Sequence, residues 1–102
     1  MLTRRAASML SLAKRAGKLI CGEDTVIMAL KSKECYLIII ADDASENTKN
    51  KIMGRAAGAD VKCLVMCDRQ ELSSAVGMYN RAVFAVTDSG FADKIEKELL
   101  SE

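Results

Sequence analysis

Four cysteines, Cys21, Cys35, Cys63 and Cys67, are the residues best equipped to bind a metal or attack a substrate, and their spacing supports neither role. Zinc sites set thiolates two to four residues apart in paired clusters, often with histidine. This chain has no Cys-x-x-Cys pair and no histidine. Its thiols lie in apolar runs such as Leu19-Ile20-Cys21 and Cys63-Leu64-Val65-Met66-Cys67, where free cysteine packs as a small hydrophobe. Without histidine the usual general base is gone, and a carboxylate pair such as Asp42 and Asp43 is the remaining route to proton transfer. Adjacent residues at a strand end seldom converge, and turn or capping roles suit both aspartates better. Gly17-Lys18 lacks the upstream glycine and following Ser or Thr of a phosphate-cradling loop, and no G-x-G-x-x-G follows any strand. Thr87-Asp88-Ser89-Gly90 has backbone N–H groups to offer an anion, but it reads first as a helix cap. The chemistry expected is therefore not catalytic, with no metal, no cofactor and no small-molecule substrate.

Charge is the stronger signal. The formal net charge is only +1, yet residues 1–33 carry Arg4, Arg5, Lys14, Arg15, Lys18, Lys31 and Lys33 against Glu23 and Asp24, a balance of +5. The remainder is −4. A polyanion would dock against the N-terminal third, unless those cations form a solvated helix face balanced elsewhere in space.

The elements that must position these residues alternate cleanly. Thr3 caps a first helix with Ala6, Met9, Leu10, Ala13 and Ala16 at helical spacing, and Gly17 ends it. A short strand over 18–21 leads to Gly22, which opens a second helix with Glu23 and Asp24 at the positive end of its dipole. Residues 36–41 form the best strand, apolar on both faces as a strand covered by helices on each side must be. A third helix follows Asp42, Asp43 and Ser45 to about Ala57, with Gly58 as its stop, and a strand spans 61–67. Asp68 and Glu71 make a capping box for a short helix closed by Gly77, residues 81–86 supply the last strand, and Asp88 caps a final helix with Phe91, Ile95 and Leu99 inside. This order, αβαβαβαβα, predicts right-handed crossovers and a three-layer α/β/α sandwich around a mixed or parallel sheet of about four strands.

Length and composition fit one such domain over residues 1–102. With 102 residues, half of them apolar and 28% charged, folding removes roughly 60 to 70% of the unfolded surface, enough without a metal or disulfide staple. The longest unbroken aliphatic stretch, residues 37–41, is far short of the roughly 20 residues that span a bilayer. Ser8, Ser11, Lys14 and Arg15 interrupt what would be the apolar region of a signal peptide, so a cytoplasmic protein with no membrane partner is expected.

Residues 10–23, Leu-Ser-Leu-Ala-Lys-Arg-Ala-Gly-Lys-Leu-Ile-Cys-Gly-Glu, are followed after the next helix by Leu37-Ile38-Ile39-Ile40-Ala41-Asp42-Asp43-Ala44-Ser45. Further on come Asn47-Thr48-Lys49 and Val83-Phe84-Ala85-Val86-Thr87-Asp88-Ser89-Gly90-Phe91-Ala92. In order and spacing this pattern resembles the kink-turn-binding family of small ribosomal proteins, the L-seven-Ae group, most closely its bacterial YlxQ-type members. The resemblance covers nearly the whole chain. It implies an α/β/α sandwich that binds, without catalysis, a sharply bent helix–internal-loop–helix in kink-turn or ribosomal RNA, with the ribosome as a further partner; a monomer is expected, though the sequence leaves the oligomeric state open.

By the same resemblance, Gly22, Glu23, Asp24 and Thr25, with Met28 one turn on, enter the opened RNA groove. Gly22 would allow close backbone approach and leave helix N–H groups for the RNA. Arg15, Lys18 and Lys31 supply cations around this edge. A second contact maps to the loop Gly77-Met78-Tyr79-Asn80-Arg81, where Met78 or Tyr79 would stack on an unpaired base, with Asn80 beside them, and Arg81 would hold a phosphate. The chain departs from the family at three recognition positions. Asp24 stands where members carry an amide or basic donor, Thr25 where they carry Glu or Gln, and Met28 where they carry Lys. Losing one phosphate-contacting lysine weakens binding and flattens its salt dependence by about one unit of slope. A protein-interaction module that has lost tight RNA binding is the alternative these departures keep open; a small thiol or nucleotide enzyme is the other.

Overall fold

Leu37, Ile38, Ile39 and Ile40 are all fully buried, and the architecture follows from what covers each side of that strand. The computed structural model describes residues 2–101. In chain order it contains α1 (Arg4–Arg15), β1 (Leu19–Cys21), α2 (Glu23–Lys31), β2 (Leu37–Ile40), α3 (Glu46–Gly58), β3 (Cys63–Val65), α4 (Arg69–Ala75), β4 (Val83–Val86) and α5 (Ser89–Leu100). Side chains alternate across a strand, so β2 and β4 feed two separate cores. Leu37, Ile39, Phe84 and Val86 pack with Ala6 and Leu10 of α1, Leu72 of α4 and Ile95 and Leu99 of α5. Ile38, Ile40, Val83 and Ala85 pack on the opposite face with Val26 and Leu30 of α2 and Ile52 and Ala56 of α3. The fold is the expected three-layer α/β/α sandwich.

The sheet runs β1-β4-β2-β3. β4 is antiparallel to both neighbours, with Cys21 opposite Phe84 and Ile40 opposite Val83, while β2 and β3 are parallel. The sheet is therefore mixed. This topology brings the C-terminal ends of β1 and β2 to the N-terminal end of β4, so Gly22, Asp42 and Arg81 share one end of the sheet. Lys18, Tyr36 and Thr87 lie at the other, where Thr87 N–H donates to Lys18 C=O at 2.8 Å and Tyr36 N–H to Val86 C=O at 2.9 Å.

Capping chemistry fixes the helix starts. Thr3, Ser45 and Asp88 side chains accept from the backbone of Ala6, Thr48 and Phe91, and Asp68 with Glu71 forms a reciprocal capping box. Several boundaries differ from the sequence expectation: β1 starts at Leu19 rather than Lys18, and β2 spans Leu37–Ile40 rather than 36–41. α3 continues through Gly58, and the left-handed residue after it is Asp60 at φ 59°. The strand expected over 61–67 is regular only over Cys63–Val65: Met66 N–H still donates to Ile40 C=O at 3.0 Å, and the chain turns away at Cys67, φ 62°. The strand expected to begin at Arg81 begins at Val83, because Arg81 belongs to the preceding loop. No helix among the described residues is long and apolar enough to cross a membrane.

Candidate nucleic-acid interface

Gly22 forms the turn from β1 into α2 with φ 102° and ψ 143°, a conformation essentially confined to glycine. Its N–H donates to Val83 C=O at 2.9 Å, and its C=O accepts from Val26 N–H at 3.0 Å, so the turn is pinned to β4 on one side and starts the helix on the other. Helix geometry leaves the first-turn N–H groups without intrahelical acceptors, and Gly22 offers no side chain to cap them. A positive helix end thus opens at the sheet's edge with the barest possible backbone in front of it. A β-carbon placed on Gly22 would lie 3.6 Å from Arg81 Nη1 and 3.9 Å from Thr25 Oγ1, so these two side chains flank the turn directly.

Arg81 is held in place by Ser73. The buried Ser73 hydroxyl accepts from Arg81 N–H at 2.8 Å and donates to Arg81 C=O at 3.1 Å, while Met78 N–H donates to Ser73 C=O at 2.9 Å. Left-handed Gly77 (φ 69°) and Asn80 (φ 50°) bend the loop between them. Tyr79 is thrown outward, 88% exposed, at the rim of a groove of about 470 Å³ lined also by Met78, Asn80 and Asp43. The sequence-predicted loop residues and the Gly22 turn therefore meet at one end of the sheet, joined through Arg81.

Glu23 is used within the fold. Its carboxylate accepts from the Thr48 hydroxyl at 3.1 Å and from Lys51 Nζ at 2.7 Å, tying the start of α2 to α3. The Lys51 hydrogen bond, chiefly, holds Glu23 below its ordinary pKa of 4.5. Asp24 and Thr25 are exposed beside it. Asp42 and Asp43 do not converge: Asp42 N–H donates to Cys67 C=O at 2.7 Å, whereas Asp43 accepts from Arg69 N–H at 3.0 Å and pairs with its guanidinium at 3.5 Å.

The remaining predicted cations do not gather at Gly22. Lys18 immediately precedes β1 and Gly22 follows it, four residues or about 13 Å apart in extended chain. Since α2 runs back along β1, Thr25 and Met28 bridge that distance: both line a groove of about 640 Å³ with Lys18. Met28 is 69% exposed there. Lys31, at the far end of α2, lines a different groove. Arg15, in the last turn of α1, is exposed and precedes Lys18, on that same far side. Arg15, Lys18, Lys31 and Arg81 form no ion pairs among the described residues, which leaves their charge available.

Sequence reasoning missed two contributors. Lys14 acts electrostatically on Cys21 together with Arg81, so it adds positive charge near the Gly22 turn; its place in the basic N-terminal third was the available signal. Ser73 had no signal, since its role exists only once α4 meets the loop. Burial also disfavours the thiolate form of the cysteines. Burial raises all four, Cys35 and Cys63 to about 11, and opposing Lys14 and Arg81 do not bring Cys21 below its ordinary value.

Residues 4–96 match the Ribosomal protein L7Ae/L30e/S12e/Gadd45 family. The chain belongs to that family. Among its relatives, an Enterococcus faecium protein named RNA-binding protein YlxQ is 37% identical over 97 residues, covering 95% of this chain and 92% of the relative. A Bacillus subtilis protein of the same name is 37% identical over 87 residues, covering 85% and 87%. Among solved structures, a Bacillus halodurans protein of unknown function superimposes with a TM-score of 0.91 at 32% identity, covering 95% of this chain and 98% of its own. The Giardia lamblia 15.5kD RNA binding protein shares the fold at a TM-score of 0.75 and 12% identity, covering 96% and 93%.

Proposed function

We propose that this protein binds structured RNA of kink-turn type without catalysis, as a monomer in the cytoplasm, in association with ribosomal RNA or the ribosome. One observation carries the reading: an uncapped helix start behind the bare backbone of Gly22, with the Arg81 guanidinium, which forms no ion pair among the described residues, beside it. Backbone N–H groups at a helix start and a free guanidinium suit phosphates and base edges brought close by a sharp bend. The names of the family relatives support RNA as the partner. In this reading Gly22, Asp24, Thr25 and Arg81 meet the bend, Met78, Tyr79 and Asn80 receive an unpaired base, and Glu23 orients α2 through Thr48 and Lys51. Lys18, Met28 and Lys31 lie along the strand leaving the bend, with Arg15 contributing longer-range attraction.

Exposed Asp24 and Met28, at positions where the family resemblance implies an amide or basic donor and a lysine, favour a second reading in which the same face binds a protein. Titration into a kink-turn RNA and a straight duplex of equal length, at two salt concentrations, separates the two. RNA recognition requires preference for the bent RNA, with Arg81→Ala weakening it and flattening the salt dependence by about one unit of slope. Equal weak binding to both RNAs, or none, leaves the protein-interaction reading.

A further inference from the structure

Past the Gly22 turn, the exposed side of α2 leads to a second cluster of cations. Lys31, Lys33 and Arg55 line a groove of about 780 Å³ in which Asp60 is the only carboxylate among the described residues. None of the three is ion-paired among the described residues. Tyr36 stands on the wall between this groove and the groove of Lys18 and Met28, since it lines both, and it is 51% exposed. Its backbone is fixed to Val86 at the start of β2, so the ring is presented from the rigid end of a central strand. Nothing in the Gly22 site requires this arrangement.

Unpaired cations along a groove with an exposed aromatic ring among them suit single-stranded nucleic acid, because cations follow the phosphates while the ring accepts a base face. A duplex keeps its bases stacked inside and has none to offer Tyr36. An acidic peptide would satisfy the cations and leave the ring unexplained. Continuity selects the source of the strand: α2 spans about 12 Å between the Gly22 turn and Lys31, with Thr25 and Met28 exposed along the way. We infer that an unpaired flank of a few nucleotides, continuing from the bent RNA at Gly22, runs along α2, stacks a base on Tyr36 and is held by Lys31, Lys33 and Arg55. The inference rests on the RNA-binding reading above and adds to it a preference for bent RNA with a single-stranded extension.

The test uses one bent core RNA in three forms: bare, with a short single-stranded flank on either end in turn, and with that flank paired to a complement. The single-stranded flank is expected to tighten binding by the wild type. Tyr36→Ala should lose at least about fivefold on the flanked RNA and nothing on the bare core, and Tyr36→Phe, which keeps the ring, should bind both as the wild type does. Lys33→Ala/Arg55→Ala should flatten the salt dependence by about 1.4 on the flanked RNA alone, at about 0.7 for each single-strand phosphate contact. If the core binds but the flank adds nothing, or the paired flank binds as tightly as the single strand, this inference is wrong and the Gly22 reading stands. Failure of the wild type to bind the core overturns both.

Discussion

Replacing Gly22 by alanine separates backbone strain from crowding, because the structure allows the added methyl group and forbids the conformation. The new β-carbon would sit 3.6 Å from Arg81 Nη1 and 3.9 Å from Thr25 Oγ1, both ordinary contacts. The cost lies in φ 102° and ψ 143°, a region where a non-glycine residue loses about 1 to 3 kcal/mol. For a domain of about this size, each kcal/mol lowers the melting temperature by roughly 4 to 8 °C, so a fall of about 4 to 24 °C is expected for Gly22→Ala by circular dichroism. Gly54→Ala is the matched control. Gly54 lies within α3, exposed, with nothing within 4 Å of its added β-carbon, so alanine there gains about 0.5 to 1 kcal/mol of helix stability. The two variants should move the melting temperature in opposite directions. If Gly22→Ala melts at or above the wild type, the turn is not strained and the argument that only glycine can present this helix start collapses.

Ser73→Ala should lower stability by about 1 kcal/mol, since Arg81 N–H and C=O lose their partner in a loop that water partly reaches, and should weaken RNA binding although Ser73 touches no RNA; a melt beside a titration reads both. Glu23 has a folded pKa below its ordinary 4.5, so its contribution is present above that value and lost as pH falls through the folded pKa. Glu23→Gln should therefore cost up to about 1 kcal/mol in urea titrations at pH 7, and the gap from the wild type should narrow as pH falls below 4.5 and through the folded pKa. A persisting gap would assign the loss to packing rather than charge. Met28→Lys restores a cation at a position 69% exposed, so it should leave the melting temperature within about 2 °C while steepening the salt dependence of kink-turn binding by about 0.9. An unchanged slope would remove Met28 from the RNA's path.

The elements most legible in the sequence were those whose local signals and tertiary roles agree. Ile38, Ile39 and Ile40 could be nowhere but in a doubly covered strand, and Thr3, Ser45, Asp68 and Asp88 each cap the helix they precede. Gly58 misled because an exposed glycine in a last helical turn costs only about 1 kcal/mol, which α3 absorbs before Asp60 takes the left-handed position. Strand order was beyond local pattern: alternation of helices and strands does not reveal that β4 inserts antiparallel between β1 and β2.

That same insertion governs how much of the candidate site could be read. It joins Gly22 to Arg81 across 59 residues of sequence. Lys18, only four residues from Gly22, is carried by β1 to the other end of the sheet. The pattern of charge along the chain picks out elements but does not reveal which end of the sheet each cation occupies. Glu23 shows the same limit, since its type suited a helix start and its actual partners, Thr48 and Lys51, come from α3.

The most direct test of the central claim is a map of backbone amide shifts as kink-turn RNA is titrated into isotopically labelled protein. The account predicts the largest changes at Gly22, Asp24, Thr25 and Arg81, with Asn80 and Tyr79 following and Lys94 and Lys97 of α5 unmoved. Changes centred on α5, or spread evenly over the surface cations and abolished by moderate salt, would contradict it.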